Sequence, residues 1–308
     1  MRGKSLLRLT GKVSDITRVL QGLVTADVSR LSTSTPLAAA LLTNKGRVIA
    51  DCTLMQHEDA VLLHTDESLL PTVKRLVSTY KLRTPIDLQI IYTSVKWSAS
   101  APASCSVLHF PDPRCGAMGF WTIDLNEQLS SRREEDDNDD DYNLSRVLHG
   151  VSEGREIVGE IPLECNLDFL NAISFTKGCY LGQELVARTK FKGVVRKRIV
   201  PFLTETSIKT DHHRFDRFQK LEGRIEELYQ RDETVLDISK DSKVVCSEGE
   251  VGEVVYFKEG RGLAKMRLDV LLKSPQLRIG ERRVLTHMPQ WWPETDPATQ
   301  KSIFDGIS

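Results

Sequence analysis

The sequence predicts an α+β body followed by a smaller all-β domain. Two observations carry that reading. Strand-like and helix-like stretches interleave up to Gly193, and beyond it short β-rich runs separated by glycine turns take over. The expected boundaries are a body over residues 1–193 and a β-barrel domain over 194–308. A chain of 308 residues has room for two domains of ordinary size.

"SLLRLTG" alternates like a first strand, and "VSDITRVLQGL" follows with helical spacing and Ser14 as N-cap. The preceding "MRGKSLLRLTGK" carries four basic residues and no acid, as a transit-peptide stub would. The early strand pattern favours a fold that starts at once, with any presequence trimmed. "PLAAALLTNKGRVIADCTLMQHEDAVLLHTD" predicts an antiparallel meander of three strands, turning at Asn44-Lys45-Gly46 and at Gln56-His57-Glu58-Asp59. In "ESLLPTVKRLVSTYKL", Leu69, Val73, Leu76, Val77 and Tyr80 recur at helical spacing, and Pro71 is tolerated in a first turn. "DLQIIYTS" and "VKWSAS" predict further strands. The run "SSRREEDDNDDD" (130–141) holds seven acids in eight residues from Glu134 to Asp141, so a solvated acidic loop is expected. "YNLSRVLHGVSEG" restores a short helix ending near Gly150. A charged insert at about 207–242 interrupts the β-rich part. Its His212 and His213 are adjacent, and adjacent side chains diverge, so they make a poor metal pair.

Bulk composition excludes several function classes. The 42 basic and 43 acidic residues nearly cancel, which points away from nucleic acid or an anionic membrane as main partner. No 18-residue apolar run predicts a transmembrane helix. The six cysteines (52, 105, 115, 165, 179 and 246) form no C-x-x-C pair. This argues against a closed zinc site or a self-contained four-cysteine iron–sulfur site, and their low density argues against a disulfide scaffold.

"FTKGCYLGQELVAR" (175–188) concentrates the chemistry. Gly178 and Gly182 bracket Cys179-Tyr180-Leu181, and good helix formers follow from Gly182. Gln183 and Glu184 suit a first turn, where orphan N–H groups and the positive dipole end favour acceptors. Cys179 therefore sits just before a helix N-terminus with Lys177 two residues upstream, a setting that favours thiolate over thiol. Arg188 is spaced for an i,i+4 pair with Glu184. No base lies in the local run. A Cys–His nucleophile needs a distant histidine, of which His57, His64, His109, His149 and His287 are formal candidates. A redox thiol protein lacks a resolving cysteine nearby. One exposed thiolate supplies one ligand, so an iron–sulfur cluster bound there takes its remaining ligands from another protein.

Lys177-Gly178-Cys179-Tyr180-x-Gly182-Gln183-Glu184 resembles the signature of the YgfZ-type, folate-binding iron–sulfur cluster assembly proteins, and of their mitochondrial members in particular. "LQGLVTADVSRL", "LLTNKGRVIADCTL", "RVLHGVSEG", "IPLECNLDFLNAISF" and "ARTKFKGVVRKRIVP" match that pattern in order. The resemblance implies a fold like the aminomethyltransferase (T protein) of the glycine cleavage system, with a C-terminal β-barrel. It implies a non-enzymatic role maturing four-iron clusters with A-type assembly partners in the mitochondrial matrix. It also implies a bridging cluster ligated by Cys179, tetrahydrofolate as a candidate ligand near Asp51, and a chain that is monomeric alone. Where T proteins carry a pterin-contacting glutamate, the aligned residue of Arg146-Val147-Leu148-His149-Gly150 is Leu148. An apolar side chain accepts none of the pterin N–H donors, which weakens the alternative, a tetrahydrofolate-dependent aminomethyl or one-carbon transferase.

Overall fold

The computed structural model describes residues 4–101, 108–128, 138–209, 215, 218–221, 224–235, 237–273, 275–296, 299, 301–304 and 307. The chain divides into two compact units. One takes residues 1–143, 153–162 and 167–188, and the other takes 144–152, 163–166 and 189–308.

In the first unit, β1 (Lys4–Thr10), β2 (Leu37–Leu42), β3 (Val48–His57), β4 (Ala60–Asp66) and β5 (Asp87–Ile91) form an antiparallel sheet of order β2-β3-β4-β1-β5. The predicted meander is β2-β3-β4, with Ala40 opposite Asp51 and Leu54 opposite Leu63. Helices α1 (Val13–Gln21) and α2 (Leu70–Tyr80) are amphipathic. They bury Ile16, Leu20, Val73 and Val77 in one core with Leu7, Leu41, Leu54 and Leu63 of the sheet. Pro71 lies in the first turn of α2, where its missing N–H leaves no bond unmade. Ser14 is not the cap of α1. Lys12 takes that place with extended backbone, and its carbonyl accepts the N–H groups of Asp15 and Ile16 at 2.8 and 3.1 Å. Ser14 thus falls one residue inside the helix.

Strands β6 (Thr93–Ser98), β7 (Leu108–Pro111) and β8 (Phe120–Gln128) make a second, three-stranded sheet of order β6-β8-β7. A dense polar cluster lies in the same unit. Buried Arg114 forms a two-pronged pair with Asp112 and reaches Glu153 at 2.7 Å and the Tyr142 hydroxyl at 2.9 Å, while the Trp121 indole donates to Asp112. Pairing on this scale is what allows a guanidinium to be buried.

Helix α3 spans Asn138–Leu148. The acidic run is therefore not a loop throughout. Asn138–Asp141 are the first described residues of this helix. Residues 130–137 of that run lie outside the described residues, as do His212 and His213.

In the second unit, β9 (Lys197–Thr204), β10 (Lys243–Cys246), β11 (Gly249–Lys258), β12 (Arg261–Arg267), β13 (Leu277–Ile279) and β14 (Arg282–Thr286) close into a six-stranded barrel of order β10-β11-β12-β9-β14-β13. Closure leaves no sheet edge unpaired. Short helices α5 (Ile225–Leu228) and α6 (Leu268–Leu271) accompany it. The insert at about 207–242 is more than a solvated charged loop. Ile208, Phe215, Leu221, Ile225, Leu228 and Tyr229 pack in one apolar cluster with Leu148, Leu203 and Leu285. Burying apolar side chains outweighs the solvation of the charged residues between them.

His287, at the end of this cluster, is 4% exposed, and its Nε2 meets the Leu148 carbonyl at 3.1 Å. Burial pulls its pKa down to about 4, opposed by the bond to Leu148. The unfolded imidazole, near 6.5, therefore takes up a proton before the folded one does. Stability contributed by this group is present above pH 6.5 and is lost as pH falls towards 4, by about 3 kcal/mol in all. Urea unfolding at pH 7 and pH 4.5 is expected to show a smaller acid loss for His287→Met than for the natural chain. An equal loss in both contradicts this assignment.

Candidate functional site

The loop from Ala172 to Gly182 is built onto the turn that follows α1. Thr25 links it to the sheet: its hydroxyl donates to the Ala172 carbonyl and accepts the Ala40 N–H at 2.8 Å. The Ser174 N–H donates to the Thr25 carbonyl at 2.9 Å, and the Leu181 N–H donates to the Gly22 carbonyl at 3.0 Å. The Ser174 hydroxyl accepts the N–H groups of Thr176 and Lys177, which turns the chain.

Lys177 completes the attachment. Its Nζ donates to the carbonyls of Gln21, Val24 and Ala26 at 2.7, 2.8 and 2.7 Å. Three donors meet three acceptors, so the ammonium has no N–H left for the neighbouring thiol. The sequence places Lys177 beside the cysteine to hold its charge; the structure gives its hydrogen bonds to the backbone after α1 instead. The ammonium also lies 5.1 Å from the centre of the Tyr180 ring. Burial pulls the Lys177 pKa down to about 8, with the Asp27 carboxylate opposing. Asp27 is itself held below its usual value by hydrogen bonds from Ser29 and Gln21. Burial pushes the Tyr180 phenol up to about 12.

Cys179 is exposed at the apex of this loop. Helix α4 (Gln183–Phe191) starts four residues on. The Gln183 side chain folds back over the gap: its Oε1 accepts the Tyr180 N–H at 2.9 Å, and its Nε2 donates to the Cys179 sulfur at 3.6 Å. Glu184 and Arg188 are both exposed, and the expected i,i+4 pair between them is not among the ion pairs of the described residues. A pair between two solvated side chains is worth only about 0.3–0.5 kcal/mol, too little to fix them together.

The two bracketing glycines differ. Gly182 has φ +80°, and a Cβ there lies 2.4 Å from the Thr43 carbonyl oxygen and 3.0 Å from the Gly46 Cα. Gly46 answers from the β2–β3 turn with φ +75°, and its Cβ falls 2.6 Å from that of Leu185 and 2.8 Å from the Gly182 oxygen. The turn and the start of α4 interlock at two residues that only glycine fills. Gly178 has no left-handed backbone, and a Cβ there meets nothing within 4 Å.

The other described cysteines differ from Cys179. Cys52, Cys115 and Cys165 are buried, and Cys246 is half-buried with the Glu248 N–H donating to its sulfur at 3.4 Å. Burial pushes the Cys52 thiol up, with Asp51 adding to it, and pushes Cys115 up to about 11, with Asp112 adding. Among the described residues no group of three or more His, Cys, Asp or Glu side chains converges to hold a metal ion. No helix among them is long and apolar enough to cross a membrane.

The Asp51 carboxylate accepts the Gly154 N–H at 2.8 Å. Leu148 is 1% exposed within the apolar cluster of the second unit. Arg146 donates to the Val151 carbonyl and lies 4.6 Å from the Tyr256 ring centre. His149 Nε2 meets Glu226 at 3.0 Å, and that bond leads the causes that hold the Glu226 carboxyl down at about 2.

Residues 196–294 match the family described as CAF17, C-terminal beta-barrel domain, which is the stretch that forms the closed barrel. The chain is 29% identical to the protein named iron-sulfur cluster assembly factor IBA57 homolog, mitochondrial, of Mycosarcoma maydis, over 96% of this chain and 84% of the relative. It is 32% identical to the protein of the same name in Pyricularia oryzae and 31% identical to that in Neosartorya fischeri, each over 65% of this chain. In those two the match spans little more than half of the relative, 56% of its length. The glycine cleavage system aminomethyltransferase T of Bartonella henselae shares the fold, with a TM-score of 0.64 at 11% identity over 97% of this chain and 85% of that one. The relatives are named as mitochondrial, and this chain takes the same location. The chain thus combines a CAF17-type C-terminal barrel with a T-protein-like fold, and it is similar to proteins named as IBA57 homologues at 29–32% identity.

Proposed function

We propose that this protein works in iron–sulfur cluster assembly in the mitochondrial matrix, as a non-enzymatic factor that lends the Cys179 thiolate to a cluster shared with an A-type partner maturing four-iron clusters. The observation that carries this reading is the state of Cys179: exposed, and presented by a loop tied down on both sides. A sulfur held in one place suits a ligand, because little freedom remains to be lost when the metal centre forms. A cysteine-bound cluster takes four ligands, and this thiolate supplies one, so the partner brings the others. The names of the relatives support the same process.

The folate-dependent transferase reading draws support from the fold alone. Leu148 offers a pterin no acceptor, and Asp51 is already engaged by the Gly154 N–H.

Anaerobic reconstitution with a purified A-type assembly protein tests the proposal. A coloured, cluster-dependent complex is expected with the natural chain and not with Cys179→Ser. Formation of methylene-tetrahydrofolate from an aminomethyl donor, with no cluster-dependent complex, refutes it in favour of the transferase.

A further inference from the structure

The interlock of Gly46 with Gly182 carries the β2–β3 turn to the start of α4, three residues from Cys179. That turn is Thr43-Asn44-Lys45-Gly46-Arg47 and holds no acid. Lys45 and Arg47 flank Gly46 and are exposed. Arg188 lies three residues beyond Leu185, the α4 residue that packs over Gly46, so it shares that side of the helix one turn along. It is exposed as well, and none of the three cations has an ion-pair partner among the described residues.

Some exposed cations of the fold do have a carboxylate partner: Arg18 pairs with Asp15, Arg267 with Asp269, and Arg282 with Asp237. Glu184 is the lone acid of residues 175–188. The protein as a whole has a formal net charge of −1, so this local excess is not a sample of a basic surface.

We propose that Lys45, Arg47 and Arg188 form a basic rim beside Cys179 that seats the acidic, cluster-bearing face of the partner chain. The proposal rests on the assembly-factor reading above and specifies the chemistry of the partner's surface. A cluster held by thiolates carries net negative charge, because sulfide and thiolate together outweigh the iron. Cations placed around the ligand sulfur speed encounter and fix the orientation in which that sulfur meets the metal. Their exposure makes the attraction sensitive to salt.

The test uses the full chain and a purified, cluster-loaded A-type assembly protein under anaerobic conditions, with association rate and Kd measured at low and physiological salt. For K45E/R47E the rim predicts a weakening of about ten-fold or more at low salt and a flatter salt dependence, with K45Q/R47Q between it and the natural chain. R188E weakens binding in the same direction. Thermal unfolding of the glutamine variant should match the natural chain, since both side chains are solvated. If K45E/R47E binds with natural affinity and natural salt dependence while Cys179→Ser loses the complex, the rim is wrong and the ligand reading stands. If the natural chain forms no cluster-dependent complex, both are overturned.

Discussion

Gly182→Ala is expected to lower stability by about 2–4 kcal/mol, while Gly178→Ala changes it by no more than about 0.5 kcal/mol. The two glycines stand four residues apart on either side of Cys179, and the sequence treats them alike. Their surroundings do not. At Gly182 an alanine must hold φ near +80° and place a methyl 2.4 Å from the Thr43 oxygen and 2.9 Å from the Leu42 Cβ. A left-handed non-glycine residue costs on the order of 1–3 kcal/mol, and an overpacked contact about as much again. The Thr43 oxygen is backbone, accepts the Gly46 N–H at 2.9 Å, and cannot swing aside like a side-chain tip. At Gly178 the methyl enters open space on an ordinary backbone. Denaturant unfolding of both variants decides the matter, and equal midpoints for the two would contradict the interlock.

Lys177→Met should be nearly as damaging, at about 2–4 kcal/mol. Methionine keeps the length and apolar stem of the side chain but removes the donor from three carbonyls that converge within 2.8 Å. Hydrogen bonds to a charged group contribute about 1.5–3 kcal/mol each in net terms, and part of that is recovered here because the site is only half-buried and water can reach the oxygens. Lys177→Arg should restore less than half of the loss. A planar guanidinium spreads its donors in a fixed fork, whereas Gln21, Val24 and Ala26 surround a single point. Urea unfolding gives the magnitude, and alkylation of Cys179 gives a local readout, since a loop released from the α1 turn presents its thiol differently. A Lys177→Met chain within 0.5 kcal/mol of the natural one, with unchanged alkylation, refutes the anchoring role.

Much of the fold is legible because its signals are local. The β2-β3-β4 meander follows from apolar runs of strand length and from two turns rich in Asn, Gly and acids, and α2 from Val73, Leu76 and Val77 at helical spacing. The misses share a cause. Ser14 is a good cap by residue type, yet the cap falls two residues earlier, at Lys12. Asp139 to Asp141 look like solvated loop in isolation, but they lie in α3. The insert conceals its buried side chains because Phe215, Leu221, Ile225 and Leu228 are diluted by charge.

The site divides the same way. The thiol, its helix start and its glycines can be read from eight residues. What Lys177 binds cannot, because its acceptors lie 151–156 residues upstream and are backbone carbonyls, which every residue has. The contacts of Thr25 and Gly46 with the Cys179 loop are hidden for the same reason. A buried threonine or a turn glycine is unremarkable until the segment it touches is known.

Chain order gives this attachment a direction in time. The long-range partners that grip the Cys179 loop, from Gln21 through Gly46, are synthesised well before the loop itself. An amino-terminal portion that folds as it emerges offers a finished dock, and the exposed sulfur can be secured soon after it arrives. A short peptide bearing all eight signature residues would have the right letters and no dock to hold them.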